Sequence, residues 1–164
     1  MGDLLMTGSE IQRVVEEYSD MLFRIGITHL KSRPDAEDMV QNVLLKFLEN
    51  KPVFDNRDHE KAWLIRVAVN ICRNHFKSAS FRKTIPFDES RIGSVVYTME
   101  IDEKAVMKAV LALPDKYRII IYLFYFEEYS ISQIASVMRR NESTVGSQLF
   151  RARQLLRLSD KEEF

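Results

Sequence analysis

The sequence predicts an all-α protein: two small helical domains joined by a linker, the second containing a helix-turn-helix. Three observations predict it. Gly (5) and Pro (4) are scarce in 164 residues, which disfavours a turn-rich β fold and leaves room for long helices. Apolar residues recur at helical spacing along most of the chain, and at 46% of the residues they suffice for packed cores. The period fails from about Ser78 to Ile101, where Pro86, Gly93 and several serines intervene and the charge changes sign. Domains are therefore expected over residues 1–78 and 102–164, with 79–101 as the linker.

The first helix is expected from about Ser9 to Lys31. Ser9 and Gln12 have capping-box spacing, with Thr7 and Glu10 competing for that role. Ile11, Val14, Val15, Tyr18, Leu22, Ile25 and His29 form its apolar stripe. Pro34 suits the first turn of a second helix, where its missing N–H costs nothing, and Asp35, Glu37 and Asp38 lie at the positive end of the dipole. Ala36, Met39, Val40, Val43, Leu44, Phe47 and Leu48 make its buried face. The other face carries Asp38, Gln41, Asn42, Leu45 and Glu49, with Leu45 an apolar residue outside the core stripe.

Lys51 to Glu60 reads as a loop, because Pro52 and the Asp/Asn cluster break the period. A third helix follows from about Glu60 to Lys77, with Leu64, Ala68, Ile71, Cys72, His75 and Phe76 expected on its core side. Its other side shows Trp63, Arg66, Asn70, Arg73 and Lys77, a basic stripe without a carboxylate. Two readings of that stripe stand: an ordinary solvated face, or a face that grips phosphates while Trp and Asn address exposed bases. The run Ser94–Met99 in the linker is apolar enough to dock but has no evident partner.

In the second domain one helix is expected over about Asp102–Leu113, ended by Pro114, and another over Asp115–Glu128. Ser130 and Gln133 form a capping box that opens a short helix with Ile131, Ile134, Ala135 and Met138 inward. Arg139, Arg140 and Asn141 form a tight turn, and a longer helix from Glu142 turns Val145, Leu149, Ala152 and Leu156 inward. This is helix-turn-helix spacing, whose second helix enters a DNA major groove in many proteins and packs as a plain helical hairpin in others. In the DNA reading Ser143, Thr144, Ser147, Gln148, Arg151 and Phe150 face the duplex.

Net charge is zero, from 24 basic and 24 acidic residues, but the charges are segregated. Residues 1–60 sum to −5, 61–83 to +6, 84–128 to −3, 129–159 to +4 and the last five to −2. Two basic islands between acidic stretches suggest two contacts with a polyanion. Cys72 is the one cysteine, so a disulfide framework is excluded and a reducing compartment fits. The greasiest stretch, Ile119–Phe126, is closed off by Arg118 and Glu127, far short of the ~18 apolar residues of a membrane span. With no basic-then-apolar leader, a cytoplasmic protein without membrane insertion is expected. His29, His59 and His75 are scattered, and no metal spacing or Gly-rich phosphate loop occurs, so neither an enzyme site nor a cofactor is expected.

The stretches PDAEDMVQNVLLKFLEN and AWLIRVAVNICRNHFK resemble region 2 of bacterial sigma factors of the extracytoplasmic-function group. ALPDKYRIIIYLFYFEEYSISQIASVMRRNESTVGSQLFRARQLLR resembles their region 4. The resemblance implies a factor that directs RNA polymerase to promoters and helps to melt them. It implies that Asp38 and Gln41, with Leu45 on the same face, dock on the clamp coiled coil of the largest polymerase subunit, and that region 4 works near the polymerase flap. It places the −10 element against the loop and third helix. Phe54, Asn56, Arg57 and His59 would line a pocket for a flipped base, with Trp63 and Asn70 at its edge and Arg66, Arg73 and Lys77 holding the strand. It assigns the −35 element to Arg139, Arg140, Ser143, Thr144, Ser147, Gln148 and Arg151. Promoter DNA and core polymerase are the implied partners, in the cytoplasm on the nucleoid. An anti-sigma factor is a common further partner in the family.

The chain departs from the family pattern in its reader. Family members often have Gly and an aliphatic residue where this turn has Arg139 and Arg140, and Lys or Arg where the helix has Gly146 and Gln148. Gln pairs well with adenine, so the departure implies a −35 contact that is weaker or moved from guanine toward adenine. The two turn arginines are expected to restore phosphate affinity. Two rival readings fit parts of the sequence: a helix-turn-helix regulator acting without core polymerase, and a sigma-mimicking interaction protein. Both leave the Trp63–Lys77 stripe without a role.

Overall fold

A computed structural model describes residues 8–79 and 101–162, with side chains over 8–75 and 104–157. All regular structure among the described residues is α-helix: α1 (Gly8–Leu30), α2 (Arg33–Asn50), α3 (Arg57–Ala79), α4 (Ile101–Leu111), α5 (Asp115–Tyr125), α6 (Ile131–Met138) and α7 (Glu142–Glu162). The described residues fall into two compact units, 8–27 with 33–79, and 28–32 with 101–162. The apolar run Ser94–Met99 lies outside the described residues.

In the first unit α2 packs on α3, and α1 crosses α2 at Gly26. A Cβ added at Gly26 would lie 2.8 Å from Met39 Cε, 2.9 Å from Ala36 Cβ and 3.0 Å from Ala36 Cα, so the crossing depends on the missing side chain. Val14, Leu22, Ile25, Met39, Val43, Leu64, Ile65, Ala68 and Val69 fill the core. A charged clasp ties α1 to α3: Arg13 donates through both terminal nitrogens to the buried Glu60 carboxylate at 2.9 and 2.8 Å. This bidentate geometry suits a guanidinium and repays desolvation of the carboxylate. Burial together with Glu60 and Glu17 holds the Tyr18 hydroxyl well above its ordinary pKa. Cys72 is fully buried, and desolvation pushes its thiol up to about 12, so the thiol is inert.

Two expectations for α3 need correction. The helix begins at Arg57, three residues before the expected Glu60, because Asn56 caps it: Asn56 Oδ1 accepts the His59 N–H at 2.9 Å. His75 is exposed rather than in the core and lies 3.6 Å from Asp35 Oδ2, while Ile65 and Val69, absent from the expected core, are buried. Phe76 and its neighbours to Ala79 have side chains outside those described.

In the second unit α5 packs between α4, α6 and α7, and α6 packs on α7. Its core is Met107, Val110, Leu111, Ile119–Leu123, Ile134, Met138, Val145 and Leu149. Arg118 is buried within it, 1% exposed, and its guanidinium donates to three backbone carbonyls: Thr28 O at 2.7 Å, His29 O at 2.9 Å and Leu113 O at 3.1 Å. Asp115 pairs with the same group and opposes the desolvation that draws its pKa down. Helices leave their last carbonyls without intrahelical partners, and Arg118 supplies donors to two helix ends at once.

Candidate nucleic-acid interface

The helix-turn-helix forms as its sequence dictates. Ser130 Oγ accepts the Gln133 N–H at 3.1 Å and Gln133 Oε1 accepts the Ser130 N–H at 2.9 Å, closing the capping box that opens α6. Helix α6 ends in a Schellman turn: Arg139 N–H reaches Ser136 O and Arg140 N–H reaches Ala135 O at 3.0 Å. The turn requires a left-handed residue, and Arg139 takes that conformation at φ 52, ψ 50. A glycine would adopt it without steric cost, whereas an L side chain costs roughly 1–2 kcal/mol there.

Beyond the turn, Val145, Leu149 and Ala152 point into the core, so the opposite face of α7 is left to solvent. Ser143, Thr144, Ser147, Phe150 and Arg151 are exposed there, Phe150 by 63%. Gly146 shares this outer side: a Cβ at that position would meet nothing within 4 Å. Gly146→Ala is expected to raise stability by about 1 kcal/mol, the helix-propensity gain alone, as read from a thermal or urea transition. Arg140 is engaged within the unit as well as placed at the turn. Its Nη1 donates to Gln148 Oε1 at 3.0 Å, and both side chains are half-buried. Sequence spacing gave no sign of this bond, because it joins a turn residue to a helix residue eight positions on.

In the first unit, Asp38, Gln41 and Leu45 share the exposed face of α2, with Leu45 52% exposed opposite the buried Ala36, Met39, Val43 and Phe47. A second group of candidates gathers around Phe54. Its ring stacks on Phe47 with centroids 6.4 Å apart and meets Trp63 at 5.9 Å and His59 at 5.3 Å, both edge to face. Phe47 and Trp63 also meet edge to face at 6.0 Å. Such a cluster fixes its rings through dispersion and quadrupole terms, giving a rigid aromatic surface with Phe54 and Trp63 half-buried. His59 is exposed, and its Nδ1 accepts the Asp55 N–H at 3.5 Å.

Two of the loop candidates are engaged internally. Asn56 holds the α3 cap through its Oδ1, and Arg57 bonds Glu17 at 3.0 Å and Glu60 at 3.5 Å. Along α3, Arg66, Asn70 and Arg73 continue from Trp63 at helical spacing, all half-buried, and Arg66 Nε is buried without a hydrogen-bond partner. A buried guanidinium nitrogen without an acceptor is costly, so an anionic or carbonyl oxygen arriving there would relieve it. The side chain of Lys77 lies outside the described residues. No cluster of three or more His, Cys, Asp or Glu suited to a metal occurs among the described residues, and no described helix is long and apolar enough to cross a membrane.

Comparison with known proteins follows the same division. Residues 14–82 match the family model "Sigma-70 region 2" and residues 103–156 match "Sigma-70, region 4". The chain is 28% identical over 149 residues to the RNA polymerase sigma factor SigV of Bacillus subtilis, covering 88% of this chain and 87% of SigV. It is 24% identical over 160 residues to the ECF RNA polymerase sigma factor SigW of the same organism, covering 88% and 85%. Its fold is similar to that of the sigma factor RpoE from Bartonella quintana, solved in complex with the anti-sigma factor NepR. The TM-score is 0.66 at 21% identity, over 93% of this chain and 98% of that one. With both regions present in order on a helical framework, the chain belongs to the sigma-70 family, in its extracytoplasmic-function group.

Proposed function

We propose that this sigma factor, which acts in promoter recognition during transcription initiation, divides that task between residues 1–78 and 102–164, joined by 79–101. The carrying observation is the order of the two matched regions on one chain, each with a polar or basic face directed outward. Asp38, Gln41 and Leu45 contact the clamp coiled coil of core polymerase, where Leu45 contributes apolar area flanked by polar specificity. Helix α7 reads the −35 duplex with Ser143, Thr144, Ser147, Gln148 and Arg151, and the turn arginines lie beside the backbone. The polymerase flap lies close to this unit.

The −10 element meets the aromatic cluster. An unpaired base stacks on the Phe54–Trp63 surface beside His59 and Asn70, while Arg66, Arg73 and Lys77 hold the phosphates. Asn56 and Arg57 act from the rim, the first by fixing where α3 starts. Opening a step loses about 1.4 kcal/mol of stacking, which capture of the strand offsets. The chain performs no covalent step, needs no cofactor, and works in the cytoplasm at the nucleoid. An anti-sigma factor is a fitting regulator, since the structurally similar RpoE was solved with one.

The test is promoter opening. Full-length protein with core polymerase should expose thymines to permanganate on a promoter that core alone leaves closed. Asp38→Arg should weaken polymerase binding at least about tenfold, because reversing a rim charge turns attraction into repulsion. Failure to open any promoter from a random library, or wild-type binding by Asp38→Arg, would overturn the assignment.

A further inference from the structure

The bond from Arg140 to Gln148 changes what α7 offers to a base. A glutamine amide whose two ends are both available matches adenine, donating to N7 and accepting from the N6 amino group. Here the oxygen already accepts from a cation, which uses one of its two lone pairs and fixes the plane of the amide. A guanidinium has five donors and no acceptor, so the amide oxygen is the end that faces Arg140, and it does so at 3.0 Å. The amide nitrogen is thereby directed away from Arg140. Charge assistance makes this bond stronger than one between neutral groups. The Schellman turn fixes its origin, since Arg139 in the left-handed conformation returns Arg140 toward the helix that follows. Within 129–159 the one carboxylate is Glu142, and it is exposed, so the guanidinium is left to the amide.

We propose that Arg140 is a positioning residue that occupies the Gln148 amide oxygen and turns the amide N–H groups outward, so that Gln148 selects guanine rather than adenine in the −35 duplex. Guanine presents two acceptors in the major groove, N7 and O6, which match the two N–H groups of the outward-turned amide. Adenine would set its N6 donor against an oxygen already bonded to a cation. The pair thus does with two side chains what a single Arg or Lys does elsewhere, reversing the preference implied by Gln148 taken alone. This inference rests on the proposed contact between α7 and duplex DNA.

The experiment is promoter selection by reconstituted holoenzyme, full chain plus core polymerase, from a library randomised across the upstream element. The position read by Gln148 is the one whose enrichment Gln148→Met relaxes. At that position wild type should enrich guanine, and Arg140→Met should move the guanine-to-adenine ratio by about tenfold toward adenine, with other positions unchanged. Arg140→Lys retains a charged donor to the amide oxygen and should retain guanine. A purely structural role for Arg140 would lower affinity for all sequences alike. Adenine at that position in wild type, or guanine preserved in Arg140→Met, would overturn the proposal while leaving α7 as a reader. Absence of any enriched upstream position alongside normal melting would overturn the reader and the proposal together.

Discussion

Arg118→Met is expected to destabilise the second unit by about 3–5 kcal/mol, measured as the shift of a urea transition followed by circular dichroism. Methionine fills most of the volume, so the loss is polar in origin. Three carbonyls, of Thr28, His29 and Leu113, lose their donor in a site where the residue is 1% exposed. Each buried acceptor left unpaired costs about 1–3 kcal/mol. Asp115 adds little to the loss, because it is mostly exposed and water replaces its partner. Arg118→Lys keeps the charge but replaces a planar fork with a single ammonium, and should recover only part of the loss. A destabilisation below about 1 kcal/mol would mean that water reaches all three carbonyls.

Gly26→Val is expected to cost about 3 kcal/mol in the first unit, since overpacked cores respond by backbone movement. Met39 Cε is the end of a flexible side chain and can shift, but Ala36 Cα is backbone and moves only with the helix. The crossing of α1 over α2 must therefore widen. Gly146→Ala is the internal control, because it raises helix propensity where there is nothing to strike. Opposite signs at the two glycines would show that contact geometry, not backbone entropy, decides the outcome; tolerance of Gly26→Val within about 0.5 kcal/mol would contradict the tight crossing.

The parts of the protein legible in the sequence are those written in local spacing. The Ser130–Gln133 capping box, the inward Val145–Leu149–Ala152 row and the exposed Leu45 are each set within one or two helical turns, and the structure has them. The start of α3 is hard to read from sequence because Asn56 suits a loop equally well, while its side chain here caps the helix from Arg57. His75 lies on a helical stripe that faces the core higher up α3 but solvent lower down. Arg118 was legible only as the end of an apolar run. Two of its acceptors lie 90 and 89 residues away, beyond any periodicity. The pairing of Arg140 with Gln148 was hidden for a similar reason, since a turn whose left-handed residue is an arginine gives no local sign of where the next side chain lands.

That left-handed Arg139 also bears on how the protein tolerates change. A glycine there would relieve strain, so random substitution has an easy route to a sturdier fold. The same step would delete a cation from the turn proposed to lie along the duplex. Selection for heat tolerance and selection for promoter grip therefore pull this one codon in opposite directions, and descendants kept under each regime should part there early.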